Sequence, residues 1–317
     1  MASFALFNYQ FDKIIDNSRQ YKIDGMDTVV MHADEAFPQR QDIFGEILLK
    51  DYQKTKSEDI IHFKNAQGLK EYVHRHLIKP TDDIVIMRVA NRKTQTIVDS
   101  ELMEKKIEDY QNCVVMIDNR PGIQRILIEN KKAVFNDVKQ VAKILEFTFN
   151  QLLPRYSLKI RLEHLQNKRA FWQYACDRRT YPNGFHKISV HLPYPNLERL
   201  KKVYDRLFGH ARDHFDSKID FNLVAPEGGQ IRLDEKDSYQ SGLIEYLMED
   251  AGAEVKLYSN TAKKTPIHVG KNSFRVVSIS NTTIRRITED SANGDLFGSS
   301  ALDEVKSKLK TGIDSDI

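Results

Sequence analysis

The chain has 317 residues, of which 40% are hydrophobic and 29% charged, and a formal net charge of +3. Such a chain should be globular and soluble, with room for one large domain or two ordinary ones. Two cysteines, Cys113 and Cys176, exclude a disulfide framework and a four-cysteine zinc site, so reduced thiols in a cytoplasmic protein are expected. The opening MASFALFNYQFDKII has no basic leader region, and no apolar run of 18 residues occurs, so neither a secreted precursor nor a membrane-spanning chain is expected.

Residues 1–110 read as a smaller α+β region. Phe4, Leu6, Phe7, Tyr9 and Phe11 suggest a first strand, and residues 28–32 a second after an Asp24-Gly25 turn. Residues 42–52 and 66–77 read as helices, the latter closing before Pro80. A hairpin is expected from 82–89 and 94–98 across residues 90–93, followed by a short polar helix over 101–110.

The core domain is expected over 111–287. Apolar residues flank Asp118-Asn119-Arg120-Pro121-Gly122, a hairpin signal, because proline fixes one turn dihedral and glycine accepts positive φ. Val134, Val138, Val141, Leu145, Phe149 and Leu152 recur every three or four residues as one helical stripe, which Pro154 should end. Leu158, Ile160 and Leu162 alternate with Lys159, Arg161 and Glu163, the pattern of a half-buried strand. Residues 165–185 read as an irregular aromatic loop. Strands are expected at 186–192, 219–224, 230–233, 253–258, 267–269 and 274–279, with helices at 196–212 and 239–248. Residues 288–317 are poor in core residues and read as an acidic, mobile polar tail. The fold class is therefore α+β, a largely antiparallel sheet with helices packed on one face.

Charge is unevenly spread. Between Arg155 and Arg212 there are 13 Lys or Arg against four acids, and a locally basic surface attracts polyanions whatever the overall net charge. Interleaved cations and flat rings suit phosphates and unstacked bases. The candidate nucleic-acid contacts are Arg155, Lys159, Arg161, Lys168, Arg169, Arg178, Arg179 and Lys187, with Trp172 or Tyr181 stacking. The competing assignment for Phe171, Trp172 and Tyr174 is a core plug with arginines reaching around it.

A second pattern, Pro226-Glu227 followed by Asp234-Glu235-Lys236, locally resembles the PD-(D/E)xK nuclease arrangement. That resemblance implies two carboxylates, Glu227 and Asp234, holding Mg²⁺ on neighbouring strands while Lys236 activates water. Glu254-Val255-Lys256 with Asp220 competes for the same roles. His210 and His214, four apart, read as solvated helix-end histidines rather than a metal pair. No phosphate loop or strand-linked dinucleotide motif is present. The expected function is a cytoplasmic nucleic-acid-binding subunit of a larger assembly, set in microbial defence or genome handling, with protein partners or self-assembly and no membrane. It needs no cofactor, Mg²⁺ entering only with the nuclease alternative. A protein-binding scaffold with an acidic partner is the other alternative.

Overall fold

The computed structural model describes residues 1–14, 31–80, 84–98, 100, 102–192, 219–250, 253–260, 265–269, 274–289 and 299–311. The chain divides into two compact units: Met1–Leu162 with Val276–Ile317, and Glu163–Arg275. Position 110 lies inside a strand and position 287 inside a helix, both in the first unit. The fold is α+β, with seven helices and twelve strands in antiparallel sheets among the described residues. None of these helices is long and apolar enough to cross a membrane.

The first unit is organised on β1 (Ala2–Lys13), which is apolar on both faces, with Phe4, Leu6, Phe7 and Tyr9 all buried. Its sheet also holds β2 (Phe63–Lys64), β3 (Glu71–His76), β4 (Ile84–Val98), β5 (Glu104–Asp118), β6 (Arg125–Glu129), β7 (Leu158–His164) and β12 (Val276–Ile279). The order is β12-β1-β6-β5-β4-β3-β2, with β7 also paired to β1. Helix α1 (Ala33–Ala36) leads into α2 (Arg40–Gln53). The expected stripe forms α3 (Val138–Leu152), which starts at Asp137, whose carboxylate accepts the Lys139 N–H at 3.1 Å. After Leu152 the chain tightens into a 3₁₀ turn, Leu153–Tyr156, which contains Pro154. Phe149 of α3 meets Phe44 of α2 edge-to-face at 4.9 Å, and burying a ring of this size contributes roughly 1.5–3 kcal/mol.

Three expectations are corrected in this unit. Residues 66–77, expected as a helix, hold β3, in which Tyr72, His74 and His76 are buried while Glu71, Val73 and Arg75 face out. The expected hairpin at 82–98 and helix at 101–110 are instead the two long strands β4 and β5, paired continuously from Ile84↔Asp118 to Val98↔Glu104. Backbone ladder bonds extend this pairing well past the core, so residues 92–98 are all exposed. The expected tail contains α7 (Ser299–Thr311), whose Ala301, Val305 and Leu309 are buried at helical spacing, after α6 (Asn281–Glu289). Buried Arg125 caps α7 by donating to the Leu309 carbonyl at 2.9 Å.

The second unit is a four-stranded sheet of β8 (Phe185–Leu192), β9 (Ile219–Val224), β10 (Glu254–Ser259) and β11 (Ile267–His268), in the order β11-β10-β8-β9. Two helices, α4 (Lys168–Ala175) and α5 (Ser238–Glu245), supply its core with Phe171, Trp172 and Ile244, against Ile188, Val190, Val255 and Leu257. Helix α4 replaces part of the loop expected at 165–185, and its cap is Asn167, which accepts the Arg169 N–H at 2.8 Å. Residues 230–233 do not form the expected strand. The strand expected from residue 28 and the helix expected at 196–212 fall largely or wholly outside the described residues.

Candidate metal and anion site

The best-defined chemistry lies in the first unit, on residues the sequence reading did not select. Helix α2 buries Ile43, Phe44, Ile47, Leu48 and then Asp51, so the same stripe that seats the helix carries a carboxylate inward. An acid in a helix's last turn faces the negative end of its dipole and needs compensating donors. Lys54 closes the helix in a left-handed conformation (φ 48°), its N–H donating to the Lys50 carbonyl at 2.7 Å. The chain then doubles back, and the Ile61 N–H donates to Asp51 Oδ1 at 2.8 Å.

The other donors come from β3. After β2 the chain turns at Asn65 to Gly68, where glycine takes the positive φ of 69° and Asn65 Oδ1 accepts the N–H groups of Leu69 and Lys70. Alternation then sends His74 and His76 to the same inner face. The Nε2 of each lies 2.6 Å from Asp51 Oδ2. The Asp51 side chain is fully buried, and those of His74 and His76 are 5% and 3% exposed. Rings hold both histidines: Phe63 meets His74 at 4.6 Å and Tyr52 meets His76 at 5.7 Å, each edge-to-face. Burial by itself would raise the Asp51 carboxyl, yet the hydrogen bonds from His74 and His76, with the Ile61 N–H, hold it well below the usual range. One atom stays unmet: His76 Nδ1 is buried without a hydrogen-bond partner.

Beside this cluster is a cleft of about 670 Å³. His74 is one of its walls, and Lys54, His62, Lys70 and Arg92 also line it, with Glu71 the only carboxylate. Glu71 is paired with Lys64 at 3.4 Å, and Arg92 with Glu108 at 3.5 Å. Lys70 donates to Asn91 Oδ1 at 2.6 Å while lying over the Tyr72 ring, so this cation is held in place. Ile60, Leu69 and Val73 give the cleft apolar ground between its charges.

The residues selected from sequence are divided between the units. Arg155, Lys159 and Arg161 belong to the first and Lys168, Arg169, Trp172, Arg178, Arg179, Tyr181 and Lys187 to the second. Arg155 lies over the Tyr156 ring, Lys159 is exposed, and Arg161 donates to Asp12 Oδ1 at 2.8 Å. Lys168 is paired with Glu245 at 2.8 Å, and Arg169 is exposed. Arg178 and Arg179 stand exposed on a turn where Asp177 accepts the N–H groups of Arg179 and Thr180. Lys187 lies over the Tyr258 ring at 5.1 Å. Trp172 is only 4% exposed and packs edge-on to Phe171, so the core-plug assignment describes this ring and it presents no face for a base. Tyr181 packs partly against the same core. Arg199, Lys201, Lys202, Arg206, His210, Arg212 and His214 lie outside the described residues.

The strand geometry implied by the nuclease resemblance is absent. Glu227 sits in the turn that Gly229 closes by donating to the Pro226 carbonyl at 2.8 Å. Asp234 accepts the Lys236 N–H at 2.9 Å in the turn leading to Asp237, the α5 cap. The physical reason is local: the Glu227 turn closes through backbone groups, and Asp234 and Asp237 accept backbone N–H groups within their own turn, leaving no ladder to hold two carboxylates side by side. The competing residues Asp220 and Glu254 are engaged by His191 and His268, at 2.5 Å and 3.0 Å.

No protein-family model matches this chain, and neither does any curated protein.

Proposed function

We propose that the protein binds a phosphate-rich polyanion, with nucleic acid as the ligand class, and that the cleft beside Asp51, His74 and His76 is its principal contact in the first unit. The observation that carries this reading is the cleft's lining, in which Lys54, Lys70 and the Glu108-paired Arg92 outnumber a single carboxylate that Lys64 already engages. Phosphates need convergent cations, and the apolar ground of Ile60, Leu69 and Val73 suits a sugar or base edge between them. The exposed pair Arg178 and Arg179 and the ring-stacked Lys187 give the second unit cations of its own.

The test is fluorescence anisotropy with labelled single-stranded DNA and RNA over a salt series. Counterion release makes affinity fall steeply with salt. Charge reversal of Lys54, Lys70 and Arg92 together should weaken binding by at least about tenfold, and reversal of Arg178 and Arg179 by less. Salt-independent binding, or equal binding by the triple variant, would remove the proposal.

A further inference from the structure

We infer that Asp51, His74 and His76 form a binding site for a divalent first-row transition ion, of the kind Zn²⁺ represents. Three ligand atoms of suitable chemistry, two imidazole nitrogens and one carboxylate oxygen, lie within 4.8 Å of one another. They come from two elements, α2 and β3, whose packing holds them together before any ion arrives. Two nitrogens among three donors disfavour Mg²⁺ and Ca²⁺, which take oxygen ligands, and favour zinc and its neighbours. Two histidines and a carboxylate with a position left over is also the ligand count of catalytic rather than structural zinc sites.

The supports around the ligands fit the same role. Asp51 Oδ1 is held by the Ile61 N–H, which leaves Oδ2 as the converging oxygen. His74 alone of the three also lines the cleft, so the ion's remaining position is reached from that side. Ligands on a tetrahedral ion with bonds of about 2.0–2.1 Å stand about 3.3 Å apart. The present 2.6 Å separations therefore open by roughly 0.7 Å as the ion replaces the two shared protons.

Each neutral ring binds metal through Nε2 only if its proton moves to Nδ1. That places a proton on His76 Nδ1, which is buried without a partner, so this ring must turn or gain a water when the ion binds. With its ring in place, no tautomer of His76 satisfies both nitrogens, whether the ion is bound or not. His76 is accordingly the weaker ligand, and His74, beside open space, the stronger.

The experiment uses the full chain, stripped with a chelator and dialysed, then titrated with Zn²⁺ by calorimetry and with Co²⁺ by visible absorption. One equivalent should bind, with the intense d–d bands of a low-coordinate nitrogen and oxygen site. His74→Ala should raise Kd by more than about 100-fold, beyond the 10–100-fold that supporting residues cause, and His76→Ala by less. Wild-type protein that takes up neither ion, or His74→Ala and Asp51→Asn variants that bind as well as wild type, would overturn the site. Should a variant not fold by circular dichroism, the wild-type cobalt spectrum and a zinc-dependent rise in Tm decide the matter. Metal uptake requires no nucleic acid, so an ion bound without polyanion affinity, or the reverse, separates this site from the reading above.

Discussion

The two units each bring histidines to carboxylates at nearly the same distance, with opposite physical consequences. Asp51 receives His74 and His76 at 2.6 Å in the interior, whereas Asp220 receives His191 at 2.5 Å with the acid 69% exposed. Distance is therefore a poor guide to what such a contact contributes. In water the charge is screened and both partners have other donors to turn to. In the core the carboxylate's only donors are those the fold supplies, so removing one partner leaves the others stranded.

Breaking the contrast at its strong end gives the largest expected effect. Asp51→Ala should cost about 3–5 kcal/mol in urea unfolding, since it leaves two buried imidazoles and the Ile61 N–H without an acceptor. A loss below about 1 kcal/mol would mean that the cluster behaves like a surface pair. The two thiols sharpen the same contrast. Burial, and then the Glu129 carboxylate, push Cys113 up to about 12 from 9.0, whereas Cys176 is exposed. A folded pKa above the unfolded one contributes stability present below pH 9.0 and lost as pH rises toward about 12. Alkaline titration of wild type against Cys113→Ala should show this loss. At pH 8 a thiol reagent should label Cys176 in the folded protein and Cys113 only after unfolding; equal rates would contradict the burial. At the weak end, Asp220→Ala should change stability by less than about 1 kcal/mol, and 1 M salt should remove even that.

What could be read from the sequence follows the same division between apolar and polar burial. The α3 stripe from Val138 to Phe149 was legible because every inward residue but Thr148 is hydrophobic. Strand β3 has equally strict alternation, but two of its three inward residues are histidines, so a pattern search that scores only apolar residues passes over it. The available signal was His-x-His in a short segment of alternating burial, together with an acid continuing the buried stripe of α2. The outer part of the β4–β5 ladder shows no buried face; backbone pairing extends it, with exposed cross-strand pairs such as Arg92–Glu108 and Gln95–Asp109. Helix α7 had a readable signal in Ala301, Val305 and Leu309, masked by the acids and lysines around it. Trp172 was legible as an aromatic anchor but not as a solvent-facing one, since tryptophan serves both roles and only packing distinguishes them.

The first unit is closed by residues far apart in the chain: β12 pairs with the opening residues of β1, Ala2 to Ala5, from positions 276–279. Ribosomes add roughly 5–20 residues per second, so during synthesis this edge of the first strand waits tens of seconds for its neighbour. The second unit, encoded between the two halves, is completed in the meantime. A nascent chain thus carries this stretch of strand edge unpaired by β12 throughout the synthesis of the intervening residues, a period in which it is open to pairing with another chain.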